Sequence, residues 1–504
     1  MSAFKLIGVI GSGAMGRGIA QLFAKAGIEV LLHDIDSEAI EKALTYNRET
    51  LERAEAKGKI SAEALTGTVA RMRAAPRLQD LASCDLLVEA IAENLGAKQS
   101  LFRELEKLVS SKAVLVSNTS SLSITKIASA CVSPERVAGF HFFNPVVLMK
   151  IVEVVRGERT APEIIERLSA LAEQAGHFVA VAPDSPGFLV NHAGRAYGTE
   201  ALRILAEGIA TPVQIDRILK DSLGFRMGPF ELFDLVGLDI SHSVMESVYD
   251  QFYQDPRYSP SPLVPMRLSA GLLGRKSDEG FYLYKNGRAV EKTQAEQPQV
   301  TVDRSFWLDC QNERVRTKVA AVLTFAGAVL EQGEWPSANA ICLLTPLGED
   351  ASSVISRQQF PVERSLALET FAGFDQRRVL MRQPGLDEDV LAQARQALSA
   401  DGVPVEVIND SPGFIAQRVL ACIVNLGCDI AQRRIADPVT LDRAVQLALG
   451  YPHGPLSFGD QYGVVQIEQI MRELHNLYQE PRYRLSPWLR RRAQLGLPLT
   501  TPEE

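Results

Sequence analysis

Residues 5–34 constrain this chain more than any other stretch. Lys5-Leu6-Ile7-Gly8-Val9-Ile10 is apolar and β-branched, as a buried parallel strand needs. It runs into Gly11-Ser12-Gly13-Ala14-Met15-Gly16, with glycine at the first, third and sixth places. Ile19, Leu22, Phe23 and Ala26 then recur at helical spacing, and the pattern stops at Gly27. Glu29-Val30-Leu31-Leu32-His33-Asp34 is a second apolar strand that ends in an acid. Strand, glycine turn, helix and acid-tipped strand together describe a βαβ unit that binds a dinucleotide. Gly11 allows the tight turn, Gly13 lets a pyrophosphate approach bare backbone, and Gly16 lets helix and sheet pack closely. Ala14 and Met15 belong to the same phosphate-facing turn, at a helix N-terminus with unpaired N–H groups. Asp34 lies 23 residues past Gly11, near the roughly 20-residue offset of the acid that binds a ribose 2′-OH. It repels a 2′-phosphate, and neither Ile35 nor Asp36 can hold one, so the expected cofactor is NAD rather than NADP.

The chain has 504 residues and a net charge of −8, which points away from a nucleic-acid surface. Its six cysteines are scattered, with no CxxC pair and no Cys/His cluster at metal spacing, so no metal is expected. The longest apolar stretch, Val319 to Leu330, is too short to span a membrane. The first strand begins too early to leave room for a signal peptide. A cytoplasmic protein with reduced thiols is the expectation.

Further strands follow at Cys84–Ala90, Ala113–Ser117, Val137–Phe140 and Ile151–Val155. Alternation with helical stretches predicts a parallel sheet covered on both faces. Ligands in such sheets bind beyond the carboxyl ends of the strands, which gathers Ser120, His141 and Glu153 into one crevice. His141 is the candidate general base, with Glu153 at the end of the next strand orienting its ring. Ser120 and Asn191 are candidate hydrogen-bond partners for a substrate oxygen.

Asp184-Ser185-Pro186-Gly187-Phe188 opens a largely helical region, and the chain then repeats itself. The same five residues return at 410–414, Leu223-Gly224 at 449–450, Gly228-Pro229 at 454–455, Asp234 at 460 and Gly237 at 463, all at one constant offset. That is a duplicated helical domain. A shortened second nucleotide-type segment is read between the copies, because Ala340–Thr345 repeats Ala113–Ser117 and Glu363-Arg364 repeats Glu135-Arg136. The expected fold class is α/β: a Rossmann-type parallel sheet (residues 1–183), an all-α domain (184–285), a linker (286–312), a degenerate Rossmann-like segment (313–408) and a second, non-catalytic all-α copy (409–504).

Gly139-Phe140-His141-Phe142-Phe143-Asn144-Pro145, Asn118–Ser121, Val152–Val155, Asp184–Asn191 and Gly228–Leu232 resemble the signature segments of L-3-hydroxyacyl-CoA dehydrogenases. The resemblance covers residues 1–285. It implies oxidation of a (3S)-3-hydroxyacyl-CoA by NAD⁺, with His141 as base, Glu153 as its partner, and Ser120 and Asn191 at the substrate oxygen. It also implies cofactor contacts from Glu93, Lys98, Ser120, Asn144 and Lys276. Thr50, Lys57 and Ser120 are implied as CoA contacts, although a serine is usual at the first position. The length and second helical domain resemble the bacterial type that handles 3-hydroxyadipyl-CoA in phenylacetate and aromatic-acid breakdown; 3-hydroxybutyryl-CoA, or fatty 3-hydroxyacyl-CoA in general, is the alternative substrate. The second copy departs from the pattern, since Gln417 stands where Asn191 would repeat. It is expected to form an internal pseudo-dimer with the first, covering an apolar face around Ile204, Leu205, Leu232, Phe233 and Leu235, and further homo-oligomerisation is left open. A non-catalytic NAD-sensing or structural protein and a crystallin-like or 6-phosphogluconate-type dehydrogenase are the competing readings.

Overall fold

A computed structural model describes residues 4–290, 300–310 and 312–503. Of the expected linker, 291–299 and 311 lie outside the described residues. The chain divides into two compact units, Met1–His192 with Arg433–Leu449, and Ala193–Gln432 with Gly450–Glu504.

The first unit is built on an eight-stranded sheet in the order β3-β2-β1-β4-β5-β6-β7-β8. Its strands are β1 (Leu6–Ile10), β2 (Glu29–His33), β3 (Met72–Ala74), β4 (Leu86–Glu89), β5 (Val114–Ser117), β6 (Val137–Phe142), β7 (Ile151–Arg156) and β8 (Phe178–Pro183). Helices α1 (Ala14–Lys25), α2 (Ser37–Ala56), α3 (Ala62–Ala70) and α6 (Pro162–Gln174) bury one face. Helices α4 (Leu95–Leu108) and α5 (Ile124–Ala128) bury the other. The sheet is not wholly parallel: β6 and β7 run antiparallel. This corrects the expected position of the acid. His141 lies within β6 and Glu153 inside β7, directly opposite each other in register. Opposed residues of an antiparallel pair project from the same face, so the pairing itself brings imidazole and carboxylate together. Fully buried Phe23 of α1 packs on Phe140 and Phe142, fixing β6 beneath the nucleotide helix.

The second unit begins in α7 (Val190–Ala193), which straddles the division, and continues through α8 (Arg195–Ala206), α9 (Pro212–Leu223), α10 (Pro229–Val236), α11 (Leu238–Gln251) and α12 (Leu263–Ser269). A short hairpin, β9 (Tyr284–Lys285) and β10 (Arg288–Ala289), closes this helical domain. A five-stranded sheet follows: β11 (Phe306–Asp309), β12 (Ile341–Leu344), β13 (Ser365–Leu368), β14 (Arg378–Arg382) and β15 (Val405–Asn409). It carries α13 (Glu313–Phe325), α14 (Ala351–Gln358) and α15 (Glu388–Ser399). The sheet thus starts at Phe306, inside the stretch expected to be linker.

This second sheet repeats parts of the first. The end of α13 closes with Ala326, Gly327 and Ala328 bonding to Val322, Thr324 and Leu323, as Ala26, Gly27 and Ile28 bond to Leu22, Ala24 and Phe23 at the end of α1. Strands β12–β15 repeat β5–β8, including the single antiparallel step. Arg364 donates to the Ser337 and Ala340 carbonyls as Arg136 does to Ser110 and Ala113. Among the described residues, no counterpart of β4 and α4 stands between β11 and β12.

The second helical copy comprises α16 (Ala416–Gln432), α17 (Pro438–Leu449), α18 (Pro455–Tyr462), α19 (Val464–Tyr478) and α20 (Pro487–Leu495). Asp460 holds the closing backbone at Leu499 and Thr500 as Asp234 holds Phe281 and Tyr282. Each copy serves the sheet of the other half. Helix α17 belongs to the first unit, packed on β7 and β8. In the second unit Gln214 of α9 donates to the Val407 carbonyl, and Asn409 bonds to Gly208 and Ile209, sealing the edge strand β15.

Helix α8 packs on α16, and a buried cluster of charges joins them. Glu200, fully buried, accepts from Arg418 Nε (2.6 Å), Arg482 Nε (2.9 Å) and the Tyr483 hydroxyl (2.7 Å). Arg418 also forks onto both oxygens of Glu207. Phe233 instead packs within its own copy, on Phe230 and Phe281, and Leu235 stays half-exposed.

Candidate functional site

The three glycines of the loop are used in three different ways. Gly11 has φ +100°, and a Cβ there would lie 2.4 Å from the Ala90 carbonyl. A Cβ on Gly16 would fall 1.7 Å from the Gly11 carbonyl oxygen. A Cβ on Gly13 would meet nothing within 4 Å, and this N-cap has no side chain to cover the first N–H groups of α1. The loop therefore fits a pyrophosphate: open space, bare backbone and an uncapped helix start. Met15 is half-buried beside it and Ala14 exposed. Asp34 sits just past β2, its Oδ2 accepting from Ser12 N (2.7 Å) and Oγ (2.8 Å) and its Oδ1 from Asp36 N (3.1 Å). Burial works to raise its pKa, but these donors outweigh it and hold the carboxyl below its ordinary value. An ionised acid at this place suits two ribose hydroxyls and repels a phosphate. Asp34→Ala is expected to narrow the preference for NAD over NADP, mainly by weakening NAD; equal kcat/KM for both cofactors in the parent chain would contradict the assignment.

His141 Nδ1 lies 2.5 Å from Glu153 Oε2. Glu153 is fully buried, and its other oxygen accepts from the Leu189 and Val190 N–H groups at 2.9 and 2.8 Å. A carboxylate so placed accepts the Nδ1 proton and leaves Nε2 with its lone pair. The ring packs by Phe143 and Phe188. Ser120 follows β5; its carbonyl accepts from Asn191 Nδ2 (3.2 Å), and its N–H donates to Glu93 Oε1 (3.1 Å). Asn144 is exposed just past β6, whose last N–H is held by Asn118.

Lys98 lies deeper than Glu93, the neighbouring acid expected at the cofactor. Its side chain is 1% exposed, with Nζ 2.5 Å from Glu89 Oε1 and 3.3 Å from Glu93 Oε2. The ammonium faces two carboxylates inside the protein because Glu89, at the end of β4, is fully buried and needs a counter-ion. Glu89, Ser12 and Thr119 were not singled out from the sequence; the readable signal was an acid ending an apolar strand, Leu86-Leu87-Val88-Glu89, as Asp34 ends its own. Thr50 is half-buried on α2, its hydroxyl accepting from Arg53, and Lys57 is exposed at the end of that helix. Lys276 belongs to the second unit, where it pairs with Asp239 at 2.5 Å.

The relic sheet has lost this loop. Helix α13 begins with Asn312, whose Oδ1 accepts from the Arg314 and Val315 N–H groups. The N–H groups that α1 leaves open are occupied here by the protein's own side chain.

Comparison with known proteins gives a consistent answer. The 3-hydroxyacyl-CoA dehydrogenase NAD-binding domain model matches residues 6–185. The C-terminal domain model of that family matches residues 187–284 and again 413–501. The chain is 36% identical over 491 residues to the 3-hydroxyadipyl-CoA dehydrogenase of Escherichia coli K12, covering 97% of each. It is 42% identical to a probable 3-hydroxybutyryl-CoA dehydrogenase of Deinococcus radiodurans, covering 55% of this chain and 99% of that one. A solved structure of a 3-hydroxybutyryl-CoA dehydrogenase from Escherichia coli K12 superposes with a TM-score of 0.83 at 34% identity, covering 98% of both chains. A likeness that runs the length of two relatives and holds both copies of the helical domain leaves one conclusion: the chain belongs to the 3-hydroxyacyl-CoA dehydrogenase family and is an NAD-dependent oxidoreductase.

Proposed function

We propose that the first half of the chain oxidises a 3-hydroxyacyl-CoA at His141, and that the acyl group is a hydroxyadipyl chain. The observation that carries the chemistry is the buried His141–Glu153 pair. With its Nδ1 proton donated to Glu153, the ring takes the substrate hydroxyl proton at Nε2, and the carboxylate stabilises the imidazolium that results. Ser120 and Asn191 hold the substrate oxygen, and bound NAD⁺ supplies the hydride acceptor. Gly11, Gly13, Ala14, Met15, Gly16 and Asp34 hold the nucleotide, with Glu93, Lys98, Ser120 and Asn144 as further contacts and Thr50, Lys57 and Ser120 toward CoA.

The hydroxyadipyl assignment rests on the full-length match to a relative of that name; the full-length solved structure with a hydroxybutyryl name supplies the second reading. Comparing kcat/KM for 3-hydroxybutyryl-, 3-hydroxyhexanoyl- and 3-hydroxyadipyl-CoA tests it. The hydroxyadipyl thioester should be preferred. A falling series from butyryl to adipyl would favour the second reading.

The proposed domain division is a nucleotide domain to about residue 183, a helical domain to 285, a shortened nucleotide-type segment beginning near Phe306 and ending near 408, and a second helical copy to the end. The charged packing of α8 on α16 supports an internal pseudo-dimer. No helix among the described residues is long and apolar enough to cross a membrane, and the cysteines form no disulfide; a cytoplasmic setting is the reading we propose.

A further inference from the structure

Residues 184–191 form a strap beside the reacting groups, and both of its ends are tied to the segment that carries Ser120. Asp184, just past β8, accepts at Oδ1 from the Ile124 N–H (3.0 Å) and at Oδ2 from the Ser123 hydroxyl and the Thr125 N–H (2.7 Å each). Ile124 and Thr125 open α5, the helix that follows the Ser120 turn, so Asp184 fills the first donors of that helix. At the other end Asn191 Nδ2 donates to the Ser120 carbonyl at 3.2 Å. Between these ties the chain turns at Gly187 and Phe188, with φ +73° and +49°. A phenylalanine stays in the left-handed region only when its surroundings hold it there. Phe188 is buried, and its ring centroid lies 5.9 Å from that of His141. The turn aims the Leu189 and Val190 N–H groups at one oxygen of Glu153, which leaves the other oxygen facing His141 Nδ1.

We infer, on the His141 reading proposed above, that Asp184 is a positioning residue for the oxidation: it anchors the strap whose backbone sets the Glu153 carboxylate and, through it, the His141 ring. The Ser120 turn is the fixed side of the tie, because Glu93 Oε1 holds the Thr119 hydroxyl and the Ser120 and Ser121 N–H groups independently. The strap is therefore the side that shifts when the tie is lost. The second half of the chain builds the same tie without the chemistry. Asp410 accepts from the Ala351 and Ser352 N–H groups at the start of α14 (2.8 and 3.0 Å), and Phe414 repeats the turn at φ +48°. Gln417 accepts from the Gly348 N–H at 2.9 Å, much as Asn191 reaches Ser120. Glu369 stands five residues past Arg364, as His141 stands five past Arg136, but it pairs across the strands with Val379, where the first half has Glu153. A tie that served the fold alone would matter to turnover no more at Asp184 than at Asp410. A positioning tie matters to turnover only at Asp184.

The test sets Asp184→Ala, Asp184→Asn and Asp410→Ala beside the parent and His141→Ala, all as full chains. It measures kcat and KM with NAD⁺ and either 3-hydroxybutyryl- or 3-hydroxyadipyl-CoA, and NADH affinity by fluorescence titration. Small displacements of a catalytic group are costly, so Asp184→Ala should lose about tenfold to hundredfold in kcat. KM for NAD⁺ and NADH affinity should stay near the parent's, because the backbone of residues 11–16 and the turn held by Glu93 are untouched. Asp184→Asn keeps one acceptor, for Ser123 and Thr125, and should recover part of the loss. Asp410→Ala breaks the matching tie where no carboxylate lies beneath it and should turn over as the parent does. Parent-like kcat in Asp184→Ala, an equal loss in Asp410→Ala, or NADH affinity that falls in step with kcat would each overturn the inference. Should Asp184→Ala fail to fold, Asp184→Asn decides: lowered kcat with intact NADH affinity supports the role, and parent-like kcat overturns it. Failure of the His141 reading shows separately, as a parent that turns over neither thioester or as full turnover in His141→Ala.

Discussion

His141→Ala is expected to lower kcat by about two to four orders of magnitude, the range for loss of a positioned general base. NADH affinity should be nearly unchanged, because His141 lies on β6 and the phosphate-facing backbone is that of residues 11–16. Glu153→Gln gives the sharper experiment. The carboxylate takes three donors: His141 Nδ1 on one oxygen and the Leu189 and Val190 N–H groups on the other. A glutamine can satisfy the two backbone groups with its oxygen only by turning its NH₂ toward Nδ1. That forces the proton onto Nε2, the nitrogen that must accept the substrate's. A loss of roughly 10²–10⁴ in kcat is expected without loss of fold, as for the corresponding change in serine-protease triads. Stopped-flow measurement of NADH formation in the two variants checks both; near-parent turnover in either would remove His141 from its role.

The largest effect on stability is expected at Glu200. It is the hub between the helical copies, with Arg418 0% and Arg482 5% exposed around it. Glu200→Ala leaves Arg418 its pair with Glu207 but leaves Arg482 only Thr199 and the Pro256 carbonyl. An uncompensated buried guanidinium costs about 3–5 kcal/mol. Adding Arg482→Met should recover part of that loss. All three tryptophans, Trp307, Trp335 and Trp488, lie in the second unit, so urea unfolding followed by their fluorescence reads this unit. Acid should act at the same place. Burial favours a high pKa for Glu200, but Arg418 and Arg482 override it and hold the carboxyl at about 2, against an ordinary 4.5. A lowered folded pKa means that stability is present above pH 4.5 and is lost as pH falls toward 2. Glu200→Gln should flatten that acid limb.

The nucleotide loop was fully legible because strand, glycines, helix and terminal acid each answer one physical demand of the same ligand. The helical duplication was legible because turn residues such as Gly187, Gly224 and Gly237 return as Gly413, Gly450 and Gly463, all at positive φ, where few other residues fit. The antiparallel step between β6 and β7 was hidden: both strands are buried on both faces, so neither shows an alternation that reports direction. The start of the second sheet was hidden for another reason. Strand β11 and helix α13 match β1 and α1 at one offset, while β12–β15 match β5–β8 at a different one. With the glycines replaced, only Ala326-Gly327 remained to mark the helix end. The inward turn of Lys98 and the exchange of α9 and α17 between halves depend on contacts distant in sequence, which spacing does not report.

On the reading proposed above, one half of the chain binds the nucleotide and carries the chemistry, and the other is its structural partner. Helix α1 opens bare N–H groups toward Gly13, whereas Asn312 closes those of α13. Calorimetric titration of the full-length protein with NADH tests this directly. One NADH per chain is the predicted stoichiometry, abolished when Gly13 is replaced by a bulky residue such as Leu. Two equivalents per chain, or one that survives Gly13→Leu, would contradict the account.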